Sequence, residues 1–186
     1  MRAIIRLLSE FGGVVFPLVA VLGGMTVILY LLGNVGRQLP GESSLKECAT
    51  IEEVEHQLGL NVLLPSYFPE TLRWPAGRIL ARREPEKQVV FVFTSRKTGE
   101  AELVLVEQFG GRELAMERRP EIPQIARVVA DSVVWLGEEQ GRLVSGWSKE
   151  LQRWNQLTWW RNGVSVLLIT SQPFYQLMRI AKSLGH

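Results

Sequence analysis

The chain has 186 residues, with 21 Lys plus Arg against 19 Asp plus Glu and a net charge of +2. Arg2, Arg6 and Glu10 are the only charges of the first 36 residues, so the remaining 150 hold 19 basic and 18 acidic side chains. That balance leaves no basic footprint for a nucleic acid, and 150 residues make one ordinary domain rather than a multidomain enzyme or a polytopic transporter.

Residues 1–10 read as a short cytoplasmic stub carrying Arg2, Arg6 and the free amine. Phe11–Gly33 follows, 23 residues without a charge. As a helix it spans roughly 35 Å, enough to cross a bilayer core. The run is longer than a signal-peptide core, and Gly33-Asn34-Val35-Gly36 is a poor cleavage site. Cys48 follows Leu45, Lys46 and Glu47, which is no lipidation box. Residues 11–33 are therefore expected to be an uncleaved, single-pass membrane anchor. The basic stub places the N-terminus in the cytoplasm and the C-terminal domain outside it. Gly13, Pro17, Ala20 and Gly24 lie at i, i+4, i+7 and i+11. A stripe of small residues lets a second helix approach closely, so this face predicts a protein partner or a homo-oligomer.

Residues 34–49 read as a linker rich in Gly, Pro and Ser. Thr50-Ile51-Glu52-Glu53 then fits a capping box. Ile51, Val54 and Leu58 share one helix face, and Gly59 stops the helix. In LNVLLPSYFPETL, Pro65 and Pro69 bracket Tyr67 and Phe68 and force a loop. Gln88–Thr94 and Ala101–Gln108 read as a hairpin across Ser95–Glu100. Ala126–Val129, Ser132–Leu136 and Arg142–Trp147 are short strands. Leu157–Trp160 and Val164–Thr170 form a hairpin around Arg161-Asn162-Gly163, whose Asn-Gly pair tolerates positive φ. Pro173 opens a last helix with Phe174, Leu177, Met178, Ala181 and Leu184 on one face, ended by Gly185. Residues 50–186 thus read as an extracytoplasmic α+β domain. Its mainly antiparallel sheet has about six or seven strands, flanked by an N-terminal and a C-terminal helix.

Catalytic sets are thin. His56 lies on the polar face of the first helix, and with His186 and one Cys it cannot complete a metal site. Asp131, the sole Asp, falls in a predicted turn with no His near it, so a nucleophilic triad lacks material. GxSxG, phosphate-loop and GxGxxG motifs are absent. Ser148 and Lys149 are adjacent and point apart, and Glu138 and Glu139 read as solvated turn residues. No catalytic residue, metal or cofactor is expected. Cys48 is a lone cysteine, which outside the cytoplasm has the option of an intermolecular disulfide. Trp147, Trp154, Trp159 and Trp160 fall within fourteen residues, a candidate interaction surface. Trp159 and Trp160 must point to opposite faces of their strand.

Two signatures resemble a known family. Leu64-Pro65-Ser66-Tyr67-Phe68-Pro69-Glu70 looks like its opening motif. Leu157-Thr158-Trp159-Trp160-Arg161-Asn162-Gly163, followed by Ile180-Ala181-Lys182-Ser183-Leu184, looks like its final hairpin and helix. Residues 50–185 resemble a bacterial extracytoplasmic domain family of unknown function. That family occurs C-terminal to a single transmembrane helix in anti-sigma-type and sporulation-associated membrane proteins. The resemblance implies no catalytic residues. Together these features predict a membrane-anchored interaction module, accessory subunit or regulatory or sensory domain without catalysis. The alternative is a carrier-like domain holding a lipid or cell-wall fragment in a cavity lined by Phe91, Phe93 and the last helix.

Overall fold

Thr50 starts the first helix as its capping box predicts. Its hydroxyl accepts from the Glu53 N–H at 3.2 Å, and the Glu53 carboxylate accepts from the Ala49 N–H at 2.7 Å. This satisfies two of the donors that a helix start leaves open. The helix, α1, spans Ile51–Leu58 and ends where Gly59 turns to φ 65°. A computed structural model describes residues 45–111 and 122–185. No helix among these is long and apolar enough to cross a membrane. The stub, the Phe11–Gly33 run and most of the expected linker lie outside them.

Among the described residues the architecture is α+β, with one antiparallel sheet of eight strands and two helices. The strands are β1 Lys46–Cys48, β2 Arg78–Arg82, β3 Lys87–Thr94, β4 Ala101–Phe109, β5 Arg127–Leu136, β6 Glu139–Trp147, β7 Arg153–Arg161 and β8 Val164–Thr170; α2 is Phe174–Ser183. Their order across the sheet is β1-β2-β3-β4-β8-β7-β6-β5. Two four-stranded meanders therefore meet at the β4–β8 pair.

Three sequence expectations are corrected. The strand count is eight rather than six or seven. The expected linker already contains β1, whose Cys48 is buried in the core while Lys46 and Glu47 stay exposed. Ala126–Val129 and Ser132–Leu136 are parts of one strand, joined across a bulge between Val128 and Ala130. Asp131 accordingly sits mid-strand and not in a turn. Three residues or an interrupted pattern give too weak an alternation to read as a strand.

The link from β4 to β5 crosses the sheet. β4 ends at Phe109 beside Val164, whereas β5 begins at Arg127 beside Trp147, at the opposite end of the strands. Ile122 and Ile125, the described part of the link, pack on the sheet face away from the helices. The sheet is consequently apolar on both faces. On the helical face, Phe91, Phe93, Leu105, Leu157 and Leu168 pack under α1, α2 and the 60–76 loop. On the second face, Val90, Val104, Val106, Leu167 and Ile169 form a separate cluster. Strands β3, β4 and β8 are buried on both faces and carry the near-continuous apolar runs such burial needs.

The proline-bracketed loop is a clamp on α2. The Ser66 N–H donates to the Ser183 carbonyl at 3.1 Å, and the Tyr67 hydroxyl donates to Gln176 Oε1 at 2.7 Å. The Arg179 guanidinium lies 3.8 Å over the Tyr67 ring. Phe68 packs on Phe93 with ring centroids 4.6 Å apart. Pro65 and Pro69 hold the loop backbone extended, so Tyr67 and Phe68 face inward against the helix and the sheet.

Candidate functional site

β5 is an edge strand of ten residues that, among the described residues, pairs only with β6. Its Val134 and Leu136 turn to the helical face and join the core. The second-face residues do not. Val128, Val133 and Trp135, with Val129 at the bulge, are 58–65% exposed. The register sets Trp135 opposite Gln140 and Gly141 opposite Trp159, so Trp160 stands on the same face one strand further in. Trp160 is 39% exposed. Asp131 faces Arg142 across the pair at 3.0 and 2.6 Å. That fork of hydrogen bonds holds the Asp131 carboxyl below its ordinary range. This edge strand has no proline and no lysine, and its open apolar face is interrupted only by the bulge and the Asp131–Arg142 pair.

The four tryptophans singled out from the sequence do not share one surface. Trp159 and Trp160 point to opposite faces, as strand geometry requires. Trp159 is buried under α2, and Trp154 is buried in the second-face cluster. Trp147 is partly exposed and lies opposite Arg127 and Arg153 at the far end of the β6–β7 pair from Trp160. The exposed apolar ridge is instead on β5, which sequence reading treated as two unremarkable short strands. The signal available for it was the apolar content of RVVADSVVWL on either side of Asp131-Ser132.

A second feature lies on the helical face where α2 begins. A cleft of about 530 Å3 is lined by Ser145, Arg153, Asn155, Ser171, Gln172 and Phe174, among others. Ser145 and Asn155 are register partners on β6 and β7. The Ser145 hydroxyl donates to Asn155 Oδ1 at 2.7 Å, and Asn155 Nδ2 donates to the Gln172 carbonyl at 3.0 Å. Two buried polar residues thereby sit on the helical face, each held by the next.

A third feature is a buried acid. Glu107 of β4 is fully buried, and the Leu63 N–H donates to its two oxygens at 3.1 and 3.0 Å. Burial pushes the carboxyl up from 4.5 to about 8, against the Leu63 hydrogen bond, and the charge of Glu55 adds to the rise. Glu55 itself accepts from the Val62 N–H at 3.1 Å. Two carboxyls thus hold consecutive backbone donors of the 60–76 loop.

The remaining candidates are dispersed. Cys48 is buried, its thiol donating to Gln57 Oε1 at 3.4 Å. Burial, with the Glu53 charge, raises its pKa and opposes thiolate formation. That placement does not suit the expected intermolecular disulfide, which needs an accessible thiolate. His56 is exposed on α1. Ser148 is buried and accepts from the Glu150 and Gln152 N–H groups, while Lys149 is exposed. Glu139 pairs with Arg161 at 2.8 Å. Among the described residues no three His, Cys, Asp or Glu gather to hold a metal. Gly13, Pro17, Ala20 and Gly24 lie outside the described residues. No family model, no curated protein and no solved structure matches the chain.

Proposed function

We propose that the chain is a membrane-anchored extracytoplasmic interaction module without catalytic chemistry, and that its partner adds an extended strand to β5. One observation carries this reading: the long edge strand whose Val128, Val133 and Trp135 stay open to solvent. Strand addition draws affinity from main-chain hydrogen bonds and specificity from alternate side chains. The anchor at 11–33, the exterior domain and the packing stripe at Gly13, Pro17, Ala20 and Gly24 rest on the sequence, as does the resemblance to membrane-tethered domains of unknown function. Phe91 and Phe93 are fully buried in the core, which favours this reading over a carrier holding lipid or a cell-wall fragment between sheet and helices.

The test is purification of the full-length protein from native membranes in mild detergent, with the stoichiometry of what co-purifies. The V133K/W135K double variant should release the partner while its circular dichroism spectrum stays that of the wild type. Retention of the partner at wild-type stoichiometry by the folded variant overturns the strand-addition reading. Replacing Gly13, Ala20 and Gly24 with Leu asks the same question of the membrane helix. If only that variant releases the partner, docking lies in the membrane and not on β5.

A further inference from the structure

The cleft where α2 begins plays no part in the reading given for β5, and its lining has a chemistry of its own. Its volume of about 530 Å3 lies in the range of small-molecule sites. Arg153 is exposed and makes no ion pair among the described residues. Among the described residues no carboxylate lines the cleft. A planar guanidinium left without a partner is suited to grip a carboxylate with two parallel hydrogen bonds.

The rest of the lining suits hydroxyl groups. Asn155 gives Oδ1 to Ser145 and one N–H to the Gln172 carbonyl, which leaves its second N–H. The Ser145 oxygen donates its proton to Asn155 and keeps its acceptor capacity. Ser171 adds a second hydroxyl. The Ser145 and Asn155 side chains are fixed before any ligand arrives. Gln172 is tied on its far side, where Nε2 donates to Glu102 Oε2 at 2.8 Å and to Thr71 Oγ1 at 3.3 Å. Phe174 is 47% exposed at the rim. An aromatic face beside fixed hydroxyl and amide groups can hold the apolar side of a sugar ring while those groups read its hydroxyls.

We propose that this cleft binds a carboxylate-bearing sugar, with Arg153 on the carboxylate, Ser145, Asn155 and Ser171 on hydroxyl groups, and Phe174 under the ring. The test is saturation-transfer NMR titration of the full-length protein in detergent with N-acetylmuramic acid. N-acetylglucosamine, which has a free 3-hydroxyl in place of the 3-O-lactyl group and so carries no carboxylate, and inorganic phosphate are the comparison probes. N-acetylmuramic acid should bind about tenfold or more tightly than N-acetylglucosamine, the effect of one charge-assisted pair. R153Q should abolish that difference, and F174A should weaken both sugars together. K149Q, an exposed lysine off the cleft, should change neither. Equal binding of the two sugars by the wild type overturns the proposal. So does phosphate binding as tight as the acidic sugar, which would show a site that reads charge alone. An R153Q variant that keeps the wild-type preference, or no binding of any probe, also overturns it.

Discussion

Strand β4, AELVLVEQF, and strand β5, RVVADSVVWL, are both mostly apolar, yet they live in opposite surroundings. β4 lies between β3 and β8 with packed clusters on both faces. β5 has one neighbour, and only Val134 and Leu136 reach the core. Burial is thus a property of position in the sheet rather than of the strand's own composition. Apolar residues that contribute to folding in β4 are spare in β5, and the proposed strand addition rests on that difference.

The largest expected effect separates the two strands directly. Leu105 of β4 is fully buried, with Phe91 and Leu168 as its register partners. Leu105→Ala should lower unfolding free energy by about 3 kcal/mol, since it removes buried methyl groups and leaves a cavity. Val133→Ala on β5 should change it by less than about 0.5 kcal/mol. Urea unfolding of the full-length chain measures both. A Val133→Ala loss as large as that of Leu105→Ala would make β5 part of the core and remove the basis for docking there.

The acids of the two strands sharpen the contrast, because their pKa values move in opposite directions. Asp131 of β5 is exposed and held low by Arg142, so its contribution is present at neutral pH and disappears on acidification. Glu107 of β4 is raised from 4.5 to about 8. Its folded state binds the proton more tightly than its unfolded state does. Stability from this group is therefore complete below 4.5 and is lost as pH rises through 8. Most of that loss falls between pH 5 and 8. Glu55 on α1 faces the same loop, with its carboxylate accepting from the Val62 N–H, whereas Lys87 Nζ is occupied by the Leu58 carbonyl at 2.6 Å. Glu107→Gln keeps an acceptor for the Leu63 N–H and has no charge to bury. Its denaturation midpoint should stay flat between pH 5 and 9 while that of the wild type falls. A wild-type midpoint that rises over this range would show that Glu107 is ionised and paired in the folded state.

Much of the fold was legible because its signals are local. Thr50 and Glu53 announce α1, Asn162-Gly163 announces the last hairpin, and the spacing of Leu177 and Ala181 announces α2. The apolar runs of β3, β4 and β8 were legible for the same reason. The candidate sites were not, because each depends on neighbours distant in sequence. Glu107 is an ordinary strand glutamate until the fold places Leu63 against it, 44 positions away. Trp159 and Trp160 look alike in sequence, and α2 covers only the first. Exposure on β5 follows from being last in the strand order, and strand order is a tertiary property. The cleft joins Ser145 and Asn155 to Gln172 across two hairpins and a helix start, a juxtaposition no local pattern encodes.

The smallest of these effects falls at the point where the open edge begins. Gly146 of β6 lies opposite Val128 on the second face. A Cβ there would collide with the Arg127 carbonyl oxygen and the Ile125 side chain, both at the entry to β5. The Ala126 N–H donates to the Trp147 carbonyl at 2.8 Å, which holds that approach close. The incoming chain therefore lies against β6 at Gly146 and leaves the face open only beyond it. Gly146→Ala should push the start of β5 outward and lower stability by about 2 kcal/mol, because the obstacle is backbone and cannot swing aside. Amide exchange should then rise at Arg127 and Val128 before it rises at Val134 or Leu136, which the core retains. Uniform exchange along β5 in the variant would mean that the strand is held as one unit, with no firm part and no free part.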